Sequence, residues 1–221
     1  MQISWKGQAC FHVIAQRNGH EQVKFVIDPY DSSIGLKMPS LEADVVLLTH
    51  DHPDHNNIKG VKAVPGGDVF AITGPGEYEI KDIAIQGIPS FHDENQGKER
   101  GRNTIYMIEA EGMRLCHLGD IGQAELTAEQ VSQIGSTDIL FVPVGGVYTI
   151  AAKGASKIVN QIEPRIVIPM HYMLPNLRFK LERVDEFLKE MGVKNVEPQS
   201  KLQVKIRDFT SEEMKVVVLS P

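Results

Sequence analysis

The apolar run Val45-Val46-Leu47-Leu48 leads through Thr49 straight into His50-Asp51-His52-Pro53-Asp54-His55. A short apolar run bounded by polar residues reads as a buried strand, here over residues 44–49, so the histidines stand where that strand ends. With 8 histidines in 221 residues, three of them in one short window is weak evidence by itself. The ordered pattern His-x-His-x-Asp-His is far rarer, arising by composition alone in roughly one chain in two thousand. His50 and His52 are two apart, so at an extended strand end they project to one side and can share a metal ion. Asp54 and His55 turn the next corner toward a second ion. Pro53 stiffens that turn and lowers the entropy lost in ordering the ligands. A plain polar loop would leave the spacing unexplained.

The rest of the chain divides into two β-rich halves. Strands are expected over 1–5, 11–15 and 23–27, with Arg17-Asn18-Gly19 as a turn. Short apolar segments over 69–90 alternate with breaks such as Gly74-Pro75-Gly76, a turn that lacks the lysine and the strand-to-helix setting of a phosphate cradle. A polar loop over 93–102 precedes a hairpin of 104–109 and 113–118. Thr127-Ala128-Glu129-Gln130 is a capping box opening a helix. A strand over 139–144, a helix over 151–162 and a strand over 165–169 then make a β-α-β unit. Leu181, Val184, Phe187, Leu188 and Met191 recur at helical spacing and predict a helix over 180–191. Strands over 202–207 and 214–219 end the chain. This pattern predicts an α/β fold in a single domain over 1–221, a four-layer αββα sandwich with two packed sheets between outer helices.

A net charge of -6 with no basic stripe excludes broad electrostatic capture of nucleic acid and favours a small-molecule substrate. No apolar stretch is long enough to cross a membrane, and Met1–Gly7 lacks the apolar centre of a signal peptide, so a cytoplasmic location is expected. Cys10 and Cys116 are too few for a disulfide framework and read as small core residues. A Cys116–His117 nucleophile pair is disfavoured because neighbours on a strand point to opposite faces.

The His50–His55 segment resembles the defining motif of the metallo-β-lactamase superfamily, and later residues follow in that family's order over nearly the whole chain. His92 in Ser90-Phe91-His92-Asp93 resembles the third histidine of the first ion. Asp120 in Leu118-Gly119-Asp120 resembles the carboxylate that bridges both ions, and His171 in Pro169-Met170-His171-Tyr172 the histidine completing the second. A narrower likeness is to Zn-dependent hydrolases related to ascorbate-6-phosphate lactonase. There Gly7-Gln8-Ala9-Cys10-Phe11 looks like a Gly-His-Ser-Ala-Phe-type opening, with Gln8 departing from the common histidine. The resemblance implies two-metal hydrolysis at His50, His52, Asp54, His55, His92, Asp120 and His171, with Asp54 as the catalytic carboxylate and a homo-oligomer as a compatible assembly. Nitrogen and oxygen ligands without thiolate fit zinc first, with manganese, iron or nickel allowed.

Asp28 and Asp51 are candidates to orient ligand histidines. Lys98, Arg100 and Arg102 lie in the polar loop, where they would either clamp an anion at the rim or be solvated beside Glu94 and Glu99. His117 would reach the edge of the site to meet substrate or be a hydrogen-bonded core residue. His12 and His20 read as structural. The expected activity is hydrolysis of a small anionic lactone, ester, amide or phosphoester. The alternatives are iron-dependent redox chemistry on the same scaffold and a metal-binding module without turnover.

Overall fold

The computed structural model describes residues 1–17, 21–210 and 213–221. Strands β1 (Gln2–Trp5), β2 (Phe11–Arg17) and β3 (Glu21–Ile27) form an antiparallel ladder. Strand β4 (Leu41–Ala43) precedes β5 (Val45–Leu47), and β6 (Val61–Ala63) precedes β7 (Phe70–Ile72). Strand β5 lies parallel between β3 and β7, while β4 and β6 pair apart from them. Next, β8 (Gly76–Ile80), β9 (Ile83–Phe91), β10 (Arg102–Ala110) and β11 (Met113–His117) run as an antiparallel meander. The chain then alternates through α1 (Ala128–Ile134), β12 (Ile139–Pro143), α2 (Ala152–Ile162), β13 (Ile166–Met170) and α3 (Val184–Glu190). It ends with β14 (Leu202–Gln203) and β15 (Lys215–Val216).

Among the described residues these strands make two large sheets, ordered β14-β1-β2-β3-β5-β7 and β15-β13-β12-β11-β10-β9-β8, and the separate two-stranded β4-β6 sheet. Strands β11, β12, β13 and β15 are parallel, so each step needs a crossover, and α1, α2 and the segment carrying α3 supply them. Period-two alternation in β3 and β5 builds two cores at once. Phe25, Ile27, Val45 and Leu47 face the space between the sheets with Trp5, Phe11 and Phe141. Val26 and Val46 face outward into a second core with Tyr30, Ile34, Leu41, Leu177 and Leu181. The architecture is the αββα sandwich. The three α-helices pack with the second sheet, whereas the outer layer over β3 and β5 is built from loops and the β4–β6 pair. Among the described residues no helix is long and apolar enough to cross a membrane.

Several expected boundaries move where another group takes the backbone. The strand ending in the histidine cluster stops at Leu47, since Thr49 N–H donates to the Asp28 carboxylate at 2.8 Å rather than to a neighbouring strand. The helix expected from residue 180 starts only at Val184. Glu182 N–H donates to the Gly145 carbonyl at 2.7 Å, and the Glu182 carbonyl accepts from Met173 N–H at 2.9 Å. Leu181 therefore sits in the outer core instead of on a helix face. The last two strands shrink to two residues each, the first because Asp208 caps Lys205 N–H at 2.8 Å and turns the chain. Residues 18 to 20, including His20 and most of the expected turn, lie outside the described residues.

The capping box forms as expected: Gln130 N–H donates to Thr127 Oγ1 at 3.1 Å, and Thr127 N–H to Gln130 Oε1 at 3.0 Å. Thr127→Ala is expected to destabilise the protein by about 1 kcal/mol, read as a lower urea midpoint. An unchanged midpoint would mean that packing alone holds α1.

Candidate metal centre

Every candidate ligand leaves the carboxyl end of a strand. Asp28 follows β3, residues 50–55 follow β5, His92 follows β9, Asp120 follows β11 and His171 follows β13. Strands β9 and β11 run the same way because both are antiparallel to β10, and β12 and β13 continue that direction. The strand ends thus open on one crevice, the usual place for a site in an α/β sheet.

Two sets of side chains converge there. His50, His52 and His92 form one, and Asp54, His55, Asp120 and His171 the other, with the ligand atoms of each set within 4.8 Å of one another. His50 and His52 meet through a turn beyond the strand rather than by strand alternation, their rings 4.5 Å apart. Asp120 joins the sets. Its Oδ2 lies 3.2 Å from His55 Nε2, 3.1 Å from His171 Nε2 and 3.6 Å from His92 Nε2. Asp54 Oδ2 stands 3.4 Å from His55 Nε2 and 3.8 Å from His171 Nε2.

The chemistry of the donor set fits metal ions. His50 Nε2, His55 Nε2, His171 Nε2 and Asp120 Oδ1 are buried with no hydrogen-bond partner. Buried polar atoms left this way cost free energy unless a partner comes, and convergent imidazole and carboxylate lone pairs are what a divalent cation takes. Electrostatics agree. Burial pushes His50 down to about 2, so it stays neutral with a lone pair available. Burial also works to lower His171, but the Asp120 carboxylate outweighs it and holds the ring up to about 9. Burial opposes ionisation of Asp54 and Asp120, yet the neighbouring histidines hold both below the usual carboxylate range. Metal ions would displace those imidazole protons and become the counter-charge themselves.

A second tier orients the ligands. Asp28 is fully buried, with Oδ1 accepting from Thr49 N–H at 2.8 Å and Oδ2 from Thr49 Oγ1 at 2.7 Å. The same Oδ2 lies 2.9 Å from His55 Nδ1. Because the Thr49 hydroxyl gives its proton to Asp28, it accepts from His50 Nδ1 at 3.0 Å. Through Thr49 this carboxylate places the Nδ1–H tautomer on His50 and leaves its Nε2 free, while its charge lies against the Nδ1 side of His55. Asn103, which the sequence did not single out, donates from Nδ2 to Ser90 Oγ at 2.7 Å and to the Leu118 carbonyl at 2.9 Å, while its Oδ1 accepts from Asp120 N–H at 3.0 Å. It ties the loops bearing His92 and Asp120 together. Gly119 has φ +58, and a Cβ there would stand 2.3 Å from Asn103 Oδ1. His171 itself has φ +51, a conformation costly for a non-glycine residue, and its N–H is held by the Gln8 carbonyl at 3.0 Å. The loop at Gln8 thus reaches the site through its backbone.

Several expectations at the rim are corrected. His117 is fully buried, with Nε2 3.0 Å from the Ala9 carbonyl and Nδ1 accepting from Gly119 N–H at 3.1 Å, so it supports the loop before Asp120 and does not reach substrate. Asp51 is exposed and bonded to Asn56 Nδ2 at 2.7 Å, away from the histidines. Of the three loop cations only Arg100 lines the cavity over the candidate ligands; Lys98 and Arg102 are exposed outside its lining. That cavity, of about 340 Å³, is walled by Ile34, Pro53, Tyr148 and Phe179, with His52, Asp54, His92 and Asp120 at its floor. Tyr148 and Phe179 carried no sequence signal, since they sit in irregular segments far from any motif. Both cysteines are buried, and burial pushes their thiols up, consistent with core residues.

A family model described as a Beta-lactamase superfamily domain matches residues 2–171. The chain belongs to the metallo-β-lactamase superfamily. Among superfamily relatives, a UPF0173 metal-dependent hydrolase of Thermococcus onnurineus is 27% identical over 198 residues, covering 78% of this chain and 84% of that protein. A crystal structure from Thermotoga maritima, assigned as a Zn-dependent hydrolase of the superfamily, is 35% identical with a TM-score of 0.76, covering 99% of this chain and 97% of the other. The fold extends to CmlA, a diiron β-hydroxylase of Streptomyces venezuelae, at 14% identity and a TM-score of 0.61 over 93% of this chain and 54% of that one.

Proposed function

We propose that this chain is a two-metal hydrolase acting on a small anionic molecule through a lactone, ester, amide or phosphoester bond. The observation that carries the reading is Asp120 Oδ2, which lies within 3.6 Å of histidines from both ligand sets. A carboxylate so placed suits two ions sharing one site. His50, His52 and His92 would hold the first ion and Asp54, His55 and His171 the second, with Asp120 between them. Bound ions supply an activated water and a counter-charge for the oxyanion.

The chain's own groups do the rest. Asp54 is half-buried at the floor of the cavity and can orient the attacking water and hold its proton. The water oxygen bonds to the carbonyl carbon or phosphorus, the bond to the leaving oxygen or nitrogen breaks, and that atom takes a proton. Asp28, through Thr49, keeps His50 and His55 aimed inward. A cavity near 340 Å³ lies at the lower end of ligand sites and suits a small molecule rather than a polymer. Two divalent ions would also outweigh the charge of Asp54 and Asp120, which favours an anion. Zinc fits the donor set, and the relatives' names support hydrolysis.

The test is elemental analysis of protein purified without chelator, paired with a panel of lactones, carboxylic esters and phosphodiesters. Two zinc ions per chain and turnover on one bond class are expected, and Asp54→Ala should lower kcat roughly a hundredfold. Metal-free protein that takes up none of zinc, manganese, iron or nickel would sink the reading. Bound iron with oxygen uptake would replace hydrolysis by redox chemistry.

A further inference from the structure

We infer that the cavity over the metal ligands selects a substrate with an aromatic or branched apolar body and a single anionic group, the latter held by Arg100. This rests on the hydrolytic reading above and names its substrate class. Apart from the candidate ligands the walls are Ile34, Pro53, Tyr148 and Phe179, and among the described residues Arg100 is the one Lys or Arg side chain in the lining.

Arg100 is a built feature rather than a stray surface charge. Its loop is folded around the Asp93 carboxylate, which accepts from Asn95 N–H at 2.8 Å, Gly97 N–H at 2.8 Å, Glu99 N–H at 3.0 Å and Arg100 N–H at 2.8 Å. Arg100 Nη2 donates to the Val147 carbonyl at 3.3 Å, and its Cζ lies 5.8 Å from the centre of the Tyr148 ring. These contacts leave guanidinium N–H groups for a ligand, in a planar fork that suits a carboxylate. Glu94 and Glu99 line the adjoining cavity, which Arg100 also borders, so the local field accepts one negative charge and resists two.

The apolar wall calls for a matching surface. Val147 and Tyr148 are 58% and 40% exposed, two of the four exposed large hydrophobic residues among those described, and Tyr148 lines this cavity. Tyr148 meets Phe179 edge to face, ring centres 5.6 Å apart. An exposed ring held in place by a half-buried one beside a cavity is what a flat apolar ligand covers.

The probes are product mimics that require no turnover. Zinc-loaded protein is titrated calorimetrically with benzoate, the three benzenedicarboxylates, and succinate and glutarate. One carboxylate of each can occupy the metal floor, and a second can reach Arg100 only in the dicarboxylates. At least one aromatic dicarboxylate is expected to bind roughly tenfold to a hundredfold more tightly than benzoate. Arg100→Gln should erase that advantage, weakening the dicarboxylates far more than benzoate, and Arg100→Lys should keep part of it. Tyr148→Ala should remove the preference for aromatic over aliphatic dicarboxylates. Circular dichroism and Tm verify that the exposed substitutions leave the fold intact.

Equal affinity for benzoate and every dicarboxylate, or an advantage that survives Arg100→Gln, would overturn the inference. Turnover of esters with no such preference would overturn it while leaving the hydrolase reading standing. The full binding pattern with no ester, lactone or phosphodiester cleaved would support the pocket assignment and count against hydrolysis.

Discussion

Asp120→Ala is expected to reduce zinc from two ions per chain to one or none and to lower kcat about a thousandfold or more, at the upper end of what loss of one preorganised electrostatic group costs. Among the described residues, Asp120 is the carboxylate that approaches histidines of both ligand sets, at 3.1, 3.2 and 3.6 Å. On the two-metal reading, removing it would take a ligand from each ion and the negative charge that lets two cations sit side by side. Asp120→Asn tests charge at nearly constant shape, and its effect should approach that of alanine. Elemental analysis and single-turnover rates read the result. Two ions and undiminished rates in Asp120→Asn would show that the carboxylate does not bridge.

The second large effect is expected at Asp28, which would touch neither metal nor substrate. Asp28→Ala strips the acceptor from Thr49 N–H, from Thr49 Oγ1 and from the face of His55 Nδ1, all in a fully buried setting. Stranding two buried donors and removing the charge beside His55 should destabilise the protein by roughly 3 to 5 kcal/mol. Asp28→Asn separates stability from metal binding. Its Oδ1 can still accept from Thr49 N–H, but an amide group in place of Oδ2 donates toward Thr49 Oγ1 and His55 Nδ1. His50 is then pushed, through the Thr49 hydroxyl, to carry its proton on Nε2, the atom that would face a metal, and His55 loses the charge beside its Nδ1. The expected outcome is a near-normal Tm for metal-free Asp28→Asn with zinc affinity weakened roughly tenfold to a hundredfold. Equal zinc affinity in the two proteins would refute the relay, and loss of Tm without loss of affinity would reduce Asp28 to a folding residue.

The candidate ligands were legible because metal binding imposes a dense, ordered set of rare residue types. His50, His52, Asp54 and His55 fall within six residues, and their spacing carries information that composition does not. His92, Asp120 and His171 were legible only through the order in which a resemblance places them, since a lone histidine or aspartate after a strand carries little by itself. Asn103, Thr49 and Tyr148 were not legible, and Arg100 was legible only as one of three loop cations. They act through contacts between segments far apart in sequence, such as Asn103 Oδ1 with Asp120 N–H or Arg100 with the Val147 carbonyl.

The fold divides the same way. Local signals, namely the alternation in β3 and β5, the Thr127–Gln130 capping box and the apolar runs of β12 and β13, determined which segments become strands or helices and so the αββα class. The tertiary structure decided where those elements stop and which charged side chains face the crevice. The strand before His50 ends where the Asp28 carboxylate captures Thr49 N–H, and α3 is shortened because Gly145 and Met173 engage the backbone of Glu182. It also withdrew His117 into the core and brought Arg100, alone of the three loop cations, to the cavity. The physical reason is common to all of these. Periodicity and capping are properties of a few consecutive residues, whereas a hydrogen bond across the fold depends on where the whole chain places its partner.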